Sequence, residues 1–288
     1  MLSKDRSLCQ AELLPGGKVF EITSLQNPRL KRASSLYERR AREKLSLFLI
    51  EGYRETLRAF EGGQKIEEVF FCPDLFLGAN EQVLLEEIEA RGAILYKCSE
   101  RAFRKLSYRD RPDGIVAVGI QQKRLLESIP ISDNPLLVVA EAIEKPGNLG
   151  TILRSSDACG ADGLIVCDRC TDIYNPNVVR ASVGTLFTVP VAEAGGEECL
   201  AWLKDNKIQI VAATPAAKVD FTKADLSGPV AIAVGTEQLG LSERWMKEAD
   251  VQVSIPMRGA ADSLNVAMAA TLLLYEALRQ RGILTEIF

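Results

Sequence analysis

The chain has 288 residues, 47% of them hydrophobic and 26% charged, with a formal net charge of -4. That length accommodates two domains, each able to bury its own core, and no uncharged apolar run reaches membrane-spanning length, so no membrane partner is expected. The chain has no histidine, which excludes Ser-His-Asp and Cys-His machinery; any chemistry must run on Arg, Lys, carboxylate, hydroxyl or amide groups, or on a supplied cofactor.

The N-terminal MLSKDRSLCQAELLPGG lacks the apolar core of a signal peptide. Seven cysteines scattered without paired spacing point to reduced thiols and a cytoplasmic location. Cys167 and Cys170 form a single CxxC, and without a second pair or a histidine no metal site is expected. The net charge hides an asymmetry. Residues 1–125 carry 22 Lys and Arg against 18 Asp and Glu, whereas residues 126–288 carry 13 against 21. A basic arm on an acidic body is a charge pattern for RNA or DNA contact.

In chain order, residues 1–20 read as a loose tail and 21–122 as a compact α/β domain. Asn27-Pro28 makes a turn into one basic helix carrying Arg29, Lys31, Arg32, Arg39, Arg40, Arg42 and Lys44. Of these, Arg29, Lys31, Arg32, Arg39, Arg40 and Arg42 are the candidate RNA contacts; a merely solvated face is the alternative. Strands follow over 47–50, 66–72, 93–96 and 114–120, with helices over 53–60 and 81–91 and a second basic helix around Arg101 to Lys105. Residues 123–135 are polar, contain two prolines, and read as a linker.

Over 136–288 the pattern restarts, with strands at 136–140, 163–166, 208–212, 230–234 and 251–255. Helices fall between them near 149–159, 197–206 and 242–248. Uninterrupted apolar strands alternating with helices predict a parallel sheet covered on both faces. A last helix is expected from Ser263, as N-cap, to Gly282, as its C′ stop, with small residues Ala267, Ala269 and Ala270 early in it. Read locally this is a capped, buried helix. The alternative is that Asn265, a poor residue just inside a helix, presents its amide to a ligand at the positive helix end.

Three polar loops follow predicted strands. In the first, EKPGNLGTILR, Pro146 and Gly147 turn the chain, Asn148 is placed to cap the next helix, and Arg154, six residues on, is expected to point back to the side of Asn148. In the second, GTEQLGLS, Gly235 and Gly240 permit close backbone approach and Glu237 is a polar candidate. The third runs into Ser263-Leu264-Asn265. Ligands of open α/β sheets bind outside the carboxyl ends of strands, so these loops should converge. No GxGxxG or GxxxxGK[ST] is present, which counts against the common dinucleotide and nucleoside triphosphate sites.

Taken together, EKPGNLGTILRSSDACGADGL, AVGTEQLGLS and VSIPMRGAADSLNVAMAATLLLYEA resemble, in order, spacing and residue type, the three signature motifs of the TrmH/SpoU family of RNA 2′-O-methyltransferases in the SPOUT superfamily. ITSLQNPRLKRASSLYERRAREKLSLFLIEG is similar to the substrate-binding domain that many of these enzymes carry. The resemblance implies a C-terminal parallel-sheet α/β domain with a trefoil knot and a smaller N-terminal α/β RNA-binding domain. It implies S-adenosylmethionine held by backbone around Thr214, Gly235, Gly240, Ile255 and Leu264. Asn148, Arg154, Glu237, Ser263 and Asn265 match the family's polar active-site residues. It further implies a homodimer, with the active site completed across the interface. Because arginine stays protonated, the role expected of Arg154 is electrostatic: lowering the effective pKa of a ribose 2′-hydroxyl. The expected activity is 2′-O-methylation of structured RNA, 23S ribosomal RNA ahead of transfer RNA. An antibiotic-resistance rRNA methyltransferase and a non-catalytic RNA-binding protein of the same fold are the rival readings.

Overall fold

The computed structural model describes residues 11–14 and 17–283, with side chains described from Val19 onward. These residues fall into two units, one of Met1–Gln122 with Tyr174–Pro176 and one of Lys123–Ile173 with Asn177–Phe288.

The first unit contains, in chain order, β1 (Ala11–Leu14), β2 (Gly17–Ile22), α1 (Pro28–Ser35), α2 (Arg39–Leu45), β3 (Leu47–Glu51), α3 (Tyr53–Glu61), β4 (Ile66–Phe71), α4 (Glu81–Ala90), β5 (Ile94–Cys98), α5 (Glu100–Leu106) and β6 (Ile115–Ile120). Its sheet runs β1-β2-β5-β4-β6-β3 and is mixed, with β2, β5 and β4 mutually parallel and the other neighbours antiparallel. The expected loose tail is corrected here: β1 and β2 form a hairpin, and β2 buries Val19 and Ile22. Residues 1–10, 15 and 16 lie outside the described residues.

The single basic helix is also corrected, to two. Asn27 caps α1 by accepting the Arg29 N–H at 2.8 Å, with Pro28 at the first helical position. The helix stops near Leu36, where the Arg42 guanidinium reaches back from α2 and donates to the carbonyls of Leu36 and Tyr37, both at 2.9 Å. Those carbonyls belong to the helix end that has no intrahelical donor, so Arg42 replaces the missing turn. Leu30, Ala33 and Leu36 face a core with Phe70, Phe103 and Val116.

The second unit contains β7 (Leu136–Glu141), α6 (Pro146–Ala158), β8 (Gly163–Cys167), α7 (Pro176–Ala181, its first residue grouped with the other unit), β9 (Val191–Ala194), α8 (Gly196–Asp205), β10 (Gln209–Ala213), β11 (Val219–Asp220), β12 (Val230–Val234), α9 (Glu243–Glu248), β13 (Val251–Ser254) and α10 (Val266–Gln280). The sheet order is β11-β13-β10-β12-β7-β8-β9 and every neighbouring pair is parallel. The expected parallel sheet is therefore present. Strands β7, β8 and β12 are buried throughout, as their unbroken apolar runs require. Two short strands, β9 and β11, escape a reading by apolar runs. The segment read as linker is packed: Leu126 and Ile129 join the core of this unit. At the far end of α10, Arg281 donates to the carbonyls of Asn134, Pro135 and Gly228, which fastens the helix terminus where β7 and β12 begin.

Candidate active site

The chain runs outward from β7 through β8 to β9, then returns to build β10 to β13 on the other side of β7, so the order reverses between β7 and β12. Crevices at such a reversal, beyond the carboxyl ends of the strands, are where open α/β sheets bind ligands. A cavity of about 460 Å³ lies there, lined by segments that follow β10, β12 and β13. Thr214, Gly235, Gly240, Ile255 and Leu264 all line it, as do Glu237, Ser263 and Asn265. Lys145, Met257 and Leu239 line it too and were not singled out from the sequence.

The second loop is folded tightly on itself. The N–H of Thr236 donates to the Gly240 carbonyl at 3.0 Å and the reverse bond spans 3.1 Å. A Cβ on Gly235 would lie 2.2 Å from Gly240 backbone, so only glycine fits there. The buried Glu141 carboxylate, at the end of β7, accepts the Ser242 N–H at 2.8 Å and anchors the loop's exit.

Both expected helix caps are displaced, and the displacement makes the site. Lys145 rather than Asn148 precedes α6, so Asn148 sits in its first turn. Asn265 rather than Ser263 caps α10, its Oδ1 accepting the Ala267 N–H at 3.0 Å. With Oδ1 committed to the helix, Asn265 donates through Nδ2 to Asn148 Oδ1 at 3.1 Å, and Asn148 Nδ2 donates to Glu237 Oε1. A carboxylate only accepts, so the order of donors and acceptors is fixed from the helix end to Glu237. Among the described residues nothing donates to the buried Oε2 of Glu237. Ser263 is exposed at the cavity.

Arg154 does not point back beside Asn148. Six residues at about 100° each leave it roughly 120° away around the helix. It is exposed on α6, outside the cavity lining, and among the described residues no hydrogen bond or ion pair holds it. Next to it, Ser155 is hydrogen-bonded to Thr271 of α10 at 2.6 Å. On α10, Met268, Leu272 and Tyr275 are exposed at helical spacing, forming an apolar stripe.

The candidate RNA cations of the first unit divide sharply. Arg29 pairs with Glu68 at 2.9 Å, and Arg32 with Glu67 at 2.6 Å and Glu68 at 3.2 Å. Arg39 pairs with Glu43 at 2.8 Å. Arg42 is 1% exposed and leaves the candidate set, since its charge closes α1. Lys31 and Arg40 are exposed and, among the described residues, have no ion-pair partner. Burial raises the Glu68 carboxyl above its ordinary value, and Arg32 and Arg29 pull it back.

Among the described residues no cluster of Cys, Asp or Glu could hold a metal ion, and no helix is long and apolar enough to cross a membrane.

Comparison with known proteins gives the site a context. Residues 27–117 match the MRM3-like substrate binding domain. A 23S rRNA (uridine(2479)-2′-O)-methyltransferase of Streptomyces viridochromogenes is 34% identical, covering 90% of this chain and 92% of its own. The crystal structure of an AdoMet-bound rRNA methyltransferase from Sinorhizobium meliloti superposes with a TM-score of 0.84 at 33% identity, over 91% of this chain and 98% of that one. A crystal structure of an RNA 2′-O ribose methyltransferase is 43% identical, with a TM-score of 0.80 over 91% and 100% of the two chains. Residues 135–275, which carry the cavity and its polar chain, match the SpoU rRNA Methylase family, and the protein belongs to that family.

Proposed function

We propose that the protein is an S-adenosylmethionine-dependent RNA 2′-O-methyltransferase that acts on 23S ribosomal RNA. The observation that carries this is the hydrogen-bonded series Asn265–Asn148–Glu237, whose two ends line the cavity while Asn148 bridges them, in a chain that aligns over nine-tenths of its length with a 23S rRNA methyltransferase.

The cavity's chemistry fits the cofactor. About 460 Å³ suits a small ligand, apolar walls such as Val234 and Val253 suit the flat face of an adenine, and Gly235 and Leu264 line the cavity as well. When bound, S-adenosylmethionine supplies an activated methyl group. The chain's own residues do the rest. Backbone around Thr214, Gly235, Gly240, Ile255 and Leu264 holds the cofactor, while Asn148, Asn265 and Ser263 orient the nucleotide. The second oxygen of Glu237 is the acceptor available for a ribose hydroxyl or a cationic side chain. Arg154 stabilises the negative charge that develops on the 2′-oxygen, the role open to a group that stays protonated.

The position of Arg154 supports a homodimer in which it serves the partner subunit's cavity. It lies outside its own cavity, on α6, beside the helix whose exposed face carries Met268, Leu272 and Tyr275. Closing that stripe against a second copy would bury apolar surface and bring Arg154 to the interface. The trefoil knot implied by the motifs is part of the same reading, as are a cytoplasmic location and turnover without a metal ion.

The test is transfer of labelled methyl from S-adenosylmethionine to 23S rRNA, with calorimetry of cofactor binding. Expected is cofactor binding with incorporation at a ribose, and loss of one 2′-O-methyl site on gene deletion. Cofactor binding with incorporation into transfer RNA alone would redirect the reading. A chain that binds RNA and not the cofactor would be a binding protein of this fold.

A further inference from the structure

The first unit holds an exposed aromatic side chain on an unusually well-fastened loop. The Glu51 carboxylate, at the end of β3, accepts from the Ser107 hydroxyl and from the N–H groups of Tyr108 at 3.1 Å and Arg109 at 3.2 Å. The Arg109 guanidinium donates to the Glu51 carbonyl at 2.9 Å and to Glu55 at 2.6 Å, and reaches Asp113 at 3.3 Å. Asp113 in turn accepts the Tyr53 N–H at 2.9 Å. Glu51, Glu55 and Asp113 thus each accept from Arg109, through its guanidinium or its N–H.

What this network presents is Tyr108. Its ring is stacked on Tyr37, with centroids 5.6 Å apart and planes 30° from parallel, and 56% of the residue is exposed. Tyr37 is fixed from below, its hydroxyl donating to the Leu106 carbonyl at 2.9 Å. Burial, and then the Glu51 charge, push the Tyr37 phenol up, which keeps it a neutral donor. Ordering a loop with this many bonds to display a half-exposed aromatic gains the fold little, since the ring buries only part of its surface. It does make a rigid stacking face. Two residues beyond Tyr37, α2 begins with Arg39 and the exposed Arg40, and Arg111 follows Tyr108 by three. An exposed ring with exposed cations close to it in sequence offers what a single-stranded nucleic acid needs: a π-face for a base and charge for the phosphates. Glu38 and Asp110 are the exposed acids nearby in sequence.

We propose that Tyr108, seated on Tyr37, is a stacking platform for an unpaired nucleobase of the RNA substrate. This rests on the reading above that the substrate is RNA. It sets the recognised element as an unpaired base of the substrate, rather than duplex shape alone.

The test compares the full chain with Tyr108→Ala and Tyr108→Phe. The probes are single-stranded oligoadenylate and a blunt RNA duplex of equal length. Expected is a loss of roughly 5- to 150-fold in single-strand affinity for the Ala variant, restoration by Phe, and unchanged duplex binding. Cofactor affinity and melting temperature should match wild type in both variants. Wild-type single-strand affinity in the Ala variant, or a wild-type preference for the duplex, overturns the platform. So does a Phe variant as weak as Ala, which would assign the effect to the hydroxyl. If wild type also fails to bind S-adenosylmethionine, the methyltransferase reading falls instead, so the two failures are distinct.

Discussion

The polar series at the cavity and the basic helices of the first unit both draw the eye in the sequence, and they resolve in opposite ways. At the cavity each amide is held by one neighbour while facing the next, and the series ends on a carboxylate oxygen with nothing donating to it among the described residues. In α1 and α2 the cations are mostly spent on their own fold: Arg29 and Arg32 on Glu67 and Glu68, Arg42 on two carbonyls. A charge run states that cations are present. It does not state whether acids fold back onto them. A motif of mixed small and polar residues, in contrast, makes sense only where a ligand completes it.

The largest effect is expected at Arg154. Arg154→Ala should lower the turnover number roughly 100- to 1000-fold, about 3–4 kcal/mol, with cofactor affinity and melting temperature preserved. Arg154→Lys should recover part of the loss if only a point charge is needed. If Arg154 serves the partner's cavity, reassembling Arg154→Ala with Glu237→Ala, each inactive alone, should restore about a quarter of wild-type activity through mixed dimers. Single-turnover methylation of the cognate RNA reads all three. An inactive mixture would return Arg154 to its own cavity.

A smaller effect tests the basic helices. Lys31→Glu with Arg40→Glu should weaken RNA binding and flatten its salt dependence by about two units of log-log slope if both touch phosphate. Arg42→Ala should leave that slope alone and instead lower stability by about 1–3 kcal/mol, since two carbonyls lose their donor. Filter binding across a salt series, beside urea unfolding, separates the two outcomes.

The smallest effect lies in pH dependence, where buried glutamates of the two units have opposite signs. Glu68 is held above its ordinary value of 4.5 by burial. The folded chain therefore binds that proton more tightly, and the group's contribution falls as pH rises from 4.5 through the raised value. Glu276 is lowered, first by hydrogen bonds from Arg279. Its contribution is complete above 4.5 and is lost as pH falls through the lowered value. The stability difference between wild type and Glu68→Gln should move toward wild type on acidification to 4.5. That for Glu276→Gln should move away from it below 4.5. Urea unfolding at a series of pH values checks both signs.

The sequence was most legible where apolar runs were unbroken. Strands such as β12 match their expected bounds because five consecutive apolar residues fit only a covered sheet. The pairing of β1 with β2 was hidden because residues 1–20 offer no long apolar run and read as a tail. The loop residues of the site were legible as a set through their motifs, but the caps were not. Ser263 and Asn148 are good caps by residue type, yet the folded chain caps α10 with Asn265 and leaves Asn148 to face Glu237. Capping preference cannot distinguish an asparagine that closes a helix from one that serves a partner 89 residues away. Tyr108 gave no signal at all, because its fastening comes from residues more than fifty positions earlier.

Helix α10 is tied at both ends, and the ties act along its axis. Arg281 fixes its last turn where β7 and β12 begin, and Asn265, bonded to Asn148 in the segment that follows β7, fixes its first turn. At 1.5 Å per residue, a 15-residue helix measures about 22 Å, comparable to the roughly 20 Å of a 6-residue strand such as β7. The helix thus works as a gauge rod. A slip of a single residue would carry the Asn265 amide about 1.5 Å and 100° away from Asn148, enough to break the series. Tolerance at the cavity is therefore set by a clasp at the opposite edge of the sheet, so loosening Arg281 should register as misalignment at the cavity well before the fold gives way.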